Sequence, residues 1–122
     1  MPDKPVLVVD DDPALLRGLE RLLRKHGYET VAFSKASDLR SYTEVARARC
    51  IVLDIDLGRD SGIELGIQLR NAGHSIPIIY ITGNDSQATR HAAMECGFLA
   101  YLVKPFDARS LIHSIEQSSQ VR

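Results

Sequence analysis

The sequence lacks tryptophan and has only two cysteines, Cys50 and Cys96, among its 122 residues. These cysteines form no CxxC pair and have no histidine at ligand spacing, so the sequence indicates neither a disulfide framework nor a Cys/His zinc site. We therefore expect two reduced thiols, which suits a cytoplasmic protein. No apolar run approaches the roughly 20 residues of a membrane-spanning helix, and no secretory signal pattern is visible.

Strong net charge is also lacking. The formal charge is −1 at pH 7, which gives no strong attraction to nucleic acid or to an anionic membrane, so we expect neither as a direct partner. Hydrophobic residues make up 44% and charged residues 25%, a balance typical of a folded domain. The length predicts a single domain, residues 1–122, with its core over about residues 5–118. The polar tail, residues 119–122, is either a fraying helix end or the start of a linker.

Four short apolar runs end abruptly in polar residues. Because ligands of open parallel sheets bind at the carboxyl ends of the strands, such endings predict one site at a common edge of the sheet. It would bring together carboxylates, a hydroxyl and an ammonium group. The polar residues are Asp10, Asp11 and Asp12 after the run 6–9, Asp54 after 51–53, Thr82 after 78–81, and Lys104 after 101–103.

Strand and helix signals alternate five times, which predicts a doubly wound (βα)5 fold of the α/β class, a three-layer sandwich around a parallel sheet. We expect the flavodoxin-like strand order 2-1-3-4-5, because it places Asp10 and Asp11 next to Asp54. Helix starts are predicted at N-cap residues. These are Asp12 for the first helix, Ser37 or Asp38 for the second, which would run to about Ala48, Ser61 with Glu64 for the third, Asp85 or Ser86 for the fourth, and Asp107 for the fifth.

The predicted carboxylate cluster indicates a cation site. Carboxylates a few ångströms apart repel one another, so they either raise a pKa or hold a cation. Hard oxygen ligands without histidine or cysteine favour Mg²⁺, with Mn²⁺ as the alternative ion. With Mg²⁺ and Lys104 present, the site would attract a phosphoryl group, and Asp54 would then serve as the nucleophile that forms an aspartyl phosphate.

Several short motifs occur in a characteristic order, and together they resemble the receiver domain of bacterial two-component response regulators. The resemblance extends from Pro5 to about Ser118. The segments around 76–79 and 81–83 are similar to receivers of nitrogen-fixation-type transcription regulators. The motifs are Val8-Val9-Asp10-Asp11-Asp12-Pro13, Leu53-Asp54, Gly62 eight residues after Asp54, Ile81-Thr82-Gly83, and Tyr101-Leu102-Val103-Lys104-Pro105-Phe106.

The resemblance implies a phosphorylation-dependent signalling switch rather than a turnover enzyme. Asp54 would accept the phosphoryl group from a phosphohistidine of a sensor histidine kinase. Mg²⁺ would be bound by Asp11, with the help of Asp10, Asp54 and the backbone carbonyl of Asp56. Thr82 and Lys104 would bind the phosphoryl oxygens. Tyr101 would be the aromatic switch residue. A cis peptide before Pro105, and homodimerisation through helix four, strand five and helix five after phosphorylation, are also implied. Asp12 is expected to cap the first helix instead of binding the metal.

Three positions depart from the commonest family pattern. Gly58 stands where proline is frequent, and Ser61 stands where aspartate is frequent. Asp56 adds a carboxylate beside the site, where we expect it to tune metal affinity or the attack of water on the aspartyl phosphate.

Two alternative functions fit parts of the sequence. Asp54-Ile55-Asp56 matches the DxD motif of aspartate-dependent phosphohydrolases, although an acidic cluster precedes it and 122 residues leave little room for a substrate cap. A flavodoxin-like FMN-binding module would need a hydroxyl- and glycine-rich loop where Asp10, Asp11 and Asp12 stand.

Overall fold

The computed structural model describes residues 4–121 and contains a five-stranded parallel sheet in the order β2-β1-β3-β6-β7. Counting only the strands of this sheet, the order is 2-1-3-4-5, as predicted. A separate antiparallel hairpin of two-residue strands lies between β3 and the next helix. The strands are β1 (Val6–Val9), β2 (Thr30–Phe33), β3 (Cys50–Asp54), β4 (Asp56–Leu57), β5 (Asp60–Ser61), β6 (Ile78–Thr82) and β7 (Ala100–Val103).

Helices cover both faces of the sheet and bury its two sets of alternating side chains. One face packs on α1 and α5 and includes Val8, Val52 and Ile79. The other packs on α2, α3 and α4 and includes Leu7 and Ile51. The three central strands are buried throughout, which agrees with their continuous apolar sequences. The helices are α1 (Pro13–Lys25), α2 (Ala36–Arg40), α3 (Gly62–Asn71), α4 (Gln87–Cys96) and α5 (Ala108–Val121).

Most predicted helix caps are confirmed. The carboxylate of Asp12 accepts hydrogen bonds from the first turn of α1, and the Ser61 hydroxyl accepts one from the Glu64 N–H. Ser86, the second of the two predicted alternatives, caps α4, and the Asp107 carboxylate accepts a hydrogen bond from the Arg109 N–H. Such caps satisfy backbone donors that the first helical turn leaves unpaired.

The predicted second helix is wrong in both its start and its length. The observed helix ends at Arg40 and is followed by turns and a short 3-10 segment, Val45–Arg47, and neither Ser37 nor Asp38 is its N-cap. The Ser41 hydroxyl bonds to the Ser37 carbonyl, and the Tyr42 ring packs edge-on against Phe33 with its centroid 5.2 Å away. The Tyr42 contact holds the chain against β2 directly after the end of the helix.

Two further features differ from the expectation or extend it. The last helix continues to Val121 and so includes most of the polar tail. The hairpin formed by β4 and β5 was not predicted, because two-residue strands leave no period in the sequence. Within residues 4–121, no helix is long and apolar enough to cross a membrane.

Candidate functional site

The carboxylates predicted to converge do converge at the carboxyl ends of β1 and β3. Val9 pairs with Leu53 in the register of these adjacent strands, so the residues that follow, Asp10 and Asp54, emerge at the same level. One oxygen from each of Asp10, Asp11 and Asp54 lies within 4.8 Å of the others. Asp10 is 0% and Asp54 2% exposed, whereas Asp11 lies at the surface.

Lys104 reaches this cluster from the far edge of the sheet. Its Nζ lies 3.1 Å from Asp10 Oδ2 and 3.0 Å from Asp54 Oδ2. Partial burial by itself would lower the pKa of Lys104, but its hydrogen bonds to Asp10 and Asp54 raise the pKa above the ordinary value. The Lys104–Pro105 peptide is cis, as the resemblance implied. One ammonium group therefore faces two buried carboxylates and offsets only one of their two negative charges.

Burial raises the pKa of Asp54 from its ordinary 3.8 to about 6. The negative charge of Asp10 acts in the same direction. The backbone N–H of Asp56 and the ammonium group of Lys104 both donate hydrogen bonds to Asp54 and oppose the rise without cancelling it. Near neutral pH, Asp54 is thus mainly ionised, and its surroundings compensate its negative charge only in part.

The backbone holds the two buried carboxylates in fixed orientations. Asp10 Oδ1 accepts a hydrogen bond from the Asp12 N–H at 2.9 Å, and Asp54 Oδ1 accepts one from the Asp56 N–H at 3.0 Å. Gly62 passes directly behind the second of these turns, where a Cβ atom would overlap the Asp54 carbonyl oxygen. This close approach explains the glycine eight residues after Asp54.

Thr82 lies at the same edge, fully buried, but its hydroxyl is turned toward Asp56. Thr82 Oγ1 donates a hydrogen bond to Asp56 Oδ2 at 3.1 Å and accepts one from the Asn84 N–H at 3.0 Å. The sequence placed Asp56 beside the site but gave no sign of this bond. Asn84 was missed, because its contribution is a backbone N–H that any residue would supply.

Tyr101 is only partly buried, and its hydroxyl points toward the surface. The hydroxyl donates a hydrogen bond to Asp85 Oδ1 at 3.0 Å, and the guanidinium carbon of Arg90 lies 4.6 Å from the ring centroid. Arg90 in turn pairs with Asp85 Oδ2 at 2.8 Å. We call these three residues the tyrosine clasp. The sequence suggests Asp85 only as a helix cap and gives Arg90 no role, since nothing in sequence spacing links them to Tyr101.

The donor set of the cluster fits a hard divalent cation. Three carboxylates and one ammonium group leave an excess of negative charge, and a mixture of buried and exposed oxygens suits an ion that keeps part of its water shell. Histidine and cysteine are absent from the cluster, which disfavours softer metals.

Comparisons with known proteins agree with this geometry. A family model described as "Response regulator receiver domain" matches residues 6–116. Nodulation protein W of Bradyrhizobium diazoefficiens is 34% identical over 115 residues, which are 94% of this chain and 51% of that protein. The chain spans about half the length of the curated relatives it matches.

Solved structures show the same similarity. The structure described as "FixJ-N" is 28% identical with a TM-score of 0.86, and the match covers 98% of this chain and 96% of that one. A response regulator protein from Burkholderia pseudomallei, with a phosphorylated aspartic acid, a calcium ion and citrate, is 29% identical with a TM-score of 0.84. That match covers 98% of this chain and 71% of that one.

Proposed function

Because this chain belongs to the receiver-domain family of response regulators, whose members are phosphorylation-dependent signalling switches, we propose that it accepts a phosphoryl group on Asp54 from a sensor histidine kinase. One observation carries the assignment of the residue. Asp54 is a buried carboxylate at the switch point of the sheet, with the ammonium group of Lys104 3.0 Å away.

The chemistry follows from the charges around Asp54. An ionised oxygen of Asp54 attacks phosphorus, a new O–P bond forms, and the N–P bond of the phosphohistidine breaks with its electron pair returning to the imidazole, which takes a proton. Since the pKa of Asp54 is about 6, the carboxylate is available as a nucleophile at neutral pH. Lys104 stays charged, because its pKa is raised, and binds an oxygen of the transferred group.

The cluster of Asp10, Asp11 and Asp54 would hold Mg²⁺, together with the backbone carbonyl of Asp56, and Mn²⁺ fits the same donors. When bound, the ion supplies positive charge that offsets the charge of the phosphoryl oxygens. The protein residues do the positioning: the turn at Asp56 fixes one oxygen of Asp54, and Lys104 lies against the other.

An apolar groove beside the site gives the donor a place to dock. The groove has a volume of about 480 Å³ and lies between α1 and the segment after β7. An apolar helix that carries the phosphohistidine would bury its side chains here and bring its imidazole toward Asp54. The groove residues include Leu15, Gly18, Leu22 and Phe106, with Asp12 and Lys104 on the side of the site.

The proposed output is a change at the surface of α4, β7 and α5. A phosphoryl group on Asp54 adds three acceptor oxygens that would draw the Thr82 hydroxyl away from Asp56. Tyr101 would leave the tyrosine clasp and fill the vacated space. Met94 on α4 is 63% exposed and Val103 on β7 is 37% exposed, so this surface already presents apolar groups to a second copy of the domain.

The direct test is incubation with acetyl phosphate and Mg²⁺ followed by intact mass measurement. We expect one added phosphoryl group in the wild-type chain, none in Asp54→Asn, and none when EDTA removes the metal. Incorporation that persists in Asp54→Asn would place the acceptor elsewhere. Multiple turnover of a generic phosphate ester would favour the phosphohydrolase alternative instead.

A further inference from the structure

Asp56 connects the nucleophile to the buried hydroxyl of the site. Its backbone N–H donates to Asp54 Oδ1 at 3.0 Å, and its side-chain Oδ2 accepts the hydroxyl proton of Thr82 at 3.1 Å. A threonine hydroxyl has a single proton, and here it is donated in the hydrogen bond to Asp56. The Asn84 N–H donates to the same hydroxyl oxygen, so the oxygen also acts as an acceptor, and the hydroxyl has no further proton to give to another group.

The position of the Asp56 carboxylate is set by its backbone. Asp56 pairs with Ser61 in the hairpin, which fixes the residue on the loop side of Asp54. Among residues 4–121, no ion pair neutralises the Asp56 carboxylate, and Lys104 is engaged with Asp10 and Asp54 instead. A hydrogen bond to an ionised acceptor is roughly twice as strong as one between neutral groups. The resting orientation of Thr82 is therefore held by a charged partner.

We propose that Asp56 is a positioning residue for phosphorylation that acts through Thr82, and that its carboxylate competes with the phosphoryl group for the Thr82 hydroxyl. The proposal rests on the proposed function, in which Thr82 binds a phosphoryl oxygen. In the resting protein the hydroxyl stays on Asp56. During transfer it must leave Asp56 before it can donate to the new anion, so Asp56 slows phosphorylation and opposes the phosphorylated state.

A simpler effect of Asp56 would be direct repulsion between its negative charge and the incoming phosphoryl group. Competition and repulsion both predict faster phosphorylation when the carboxylate is removed. They differ in their dependence on Thr82, because repulsion acts on the phosphoryl group whether or not the hydroxyl is present. A double-mutant cycle between Asp56 and Thr82 separates them.

The experiment measures the initial rate of Asp54 phosphorylation by acetyl phosphate with Mg²⁺ in the wild type, Asp56→Ala, Thr82→Ala and the double variant. We expect Asp56→Ala to raise the rate about threefold, a barrier change near 0.7 kcal/mol, when Thr82 is present. In the Thr82→Ala background the same change should alter the rate by less than about 1.5-fold. Equal gains in both backgrounds, or no gain in either, would overturn the proposal.

Asp56→Asn is the matched variant, since it keeps an acceptor oxygen and removes the charge. A weaker neutral acceptor should give a smaller gain than Asp56→Ala, whereas a gain as large as that of Asp56→Ala would assign the effect to charge and overturn the proposal.

A measurement on the unphosphorylated, metal-free chain keeps the inference separate from the proposed function. Asp56→Ala should shift the Thr82 methyl and Asn84 amide resonances, and unchanged resonances would refute the hydrogen bond itself. Failure of wild-type Asp54 to take up phosphate would instead refute the proposed function.

Discussion

The proposed phosphorylation site and the tyrosine clasp are built from similar bonds in different surroundings. At the site, Lys104 lies 3.0 Å from Asp54, and at the clasp, Arg90 lies 2.8 Å from Asp85. The Asp54 side chain is 3% exposed, whereas the side chains of Arg90 and Asp85 are 50% and 35% exposed. The two ion pairs have nearly the same length, and they differ in how far their side chains are buried.

Burial decides what each pair can do. Water and salt screen the clasp, so its bonds can exchange partners at small free-energy cost. The site has little screening, and the charge of Asp54 is held there at a penalty that raises its pKa to about 6. A buried carboxylate with a perturbed pKa is typical of a reactive site. An aromatic ring that is held by exposed, weak contacts can change its position easily, which suits the output of a signal.

The largest effect should come from disturbing the backbone behind Asp54. Gly62→Ala would push a Cβ atom into the Asp54 carbonyl oxygen, and neither backbone can give way easily. We expect a loss of roughly 3 kcal/mol in the free energy of unfolding, measured by urea denaturation.

The matched control is Gly18→Ala, because Gly18 lies in α1 and a methyl group on its Cα would meet no atom within 4 Å apart from the neighbouring helix backbone. Alanine has the higher helix propensity, so this variant should gain about 0.5–1 kcal/mol. A Gly62→Ala variant as stable as Gly18→Ala would mean that the site is not rigid.

The next effect concerns the charge of Asp54. Its folded pKa, about 6, lies above the ordinary 3.8, so the folded state binds this proton more tightly and the charged form destabilises the fold at pH values above 6. Without metal at pH 7.5, Asp54→Asn should therefore increase the free energy of unfolding by on the order of 1 to 2 kcal/mol. The gain should disappear as the pH falls from about 6 to below 3.8. A gain that is independent of pH would exclude the charge as its cause.

The contrast between the two regions also explains what the sequence could predict. Asp54 and Thr82 are the last residues of their strands, and Asp10 and Lys104 directly follow theirs. The apolar runs and the predicted strand order therefore suffice to bring all four to one edge of the sheet. The family resemblance added their expected roles and the cis peptide before Pro105, which the structure contains.

The clasp and the Asp56–Thr82 bond depend instead on side-chain orientations across separate elements, for which the sequence carries no period. The prediction of the second helix was wrong for a related reason. Tyr42 is drawn onto Phe33 by a tertiary contact that helix propensity does not include.

A third prediction tests whether the two regions are coupled. Thr82→Ala should still accept phosphate on Asp54 but lose most of the phosphorylation-induced change around Tyr101, because the phosphoryl group would have no hydroxyl to attract. Amide chemical shifts over residues 84–103 would be compared before and after phosphorylation. Thr82→Ser, which keeps the hydroxyl, is the control and should retain the change. Identical shift patterns in wild type and Thr82→Ala would show that coupling does not run through Thr82.

The smallest effect belongs to the clasp itself. Burial raises the pKa of Tyr101 above its usual value, and the hydrogen bond to Asp85 raises it further, since a phenolate would face a carboxylate. Asp85→Asn keeps an acceptor oxygen and removes the charge, so the pKa of Tyr101 should fall toward its ordinary value without reaching it. Titration by NMR of ring-labelled tyrosine, with Tyr101→Phe to assign the signal, would measure the change.

Because the clasp is exposed, about 0.5 M salt should reduce the difference in the pKa of Tyr101 between wild type and Asp85→Asn. A difference that persists undiminished in salt would mean that the clasp is as well shielded from solvent as the proposed phosphorylation site. The proposed division between a rigid site and a loosely held readout would then fail.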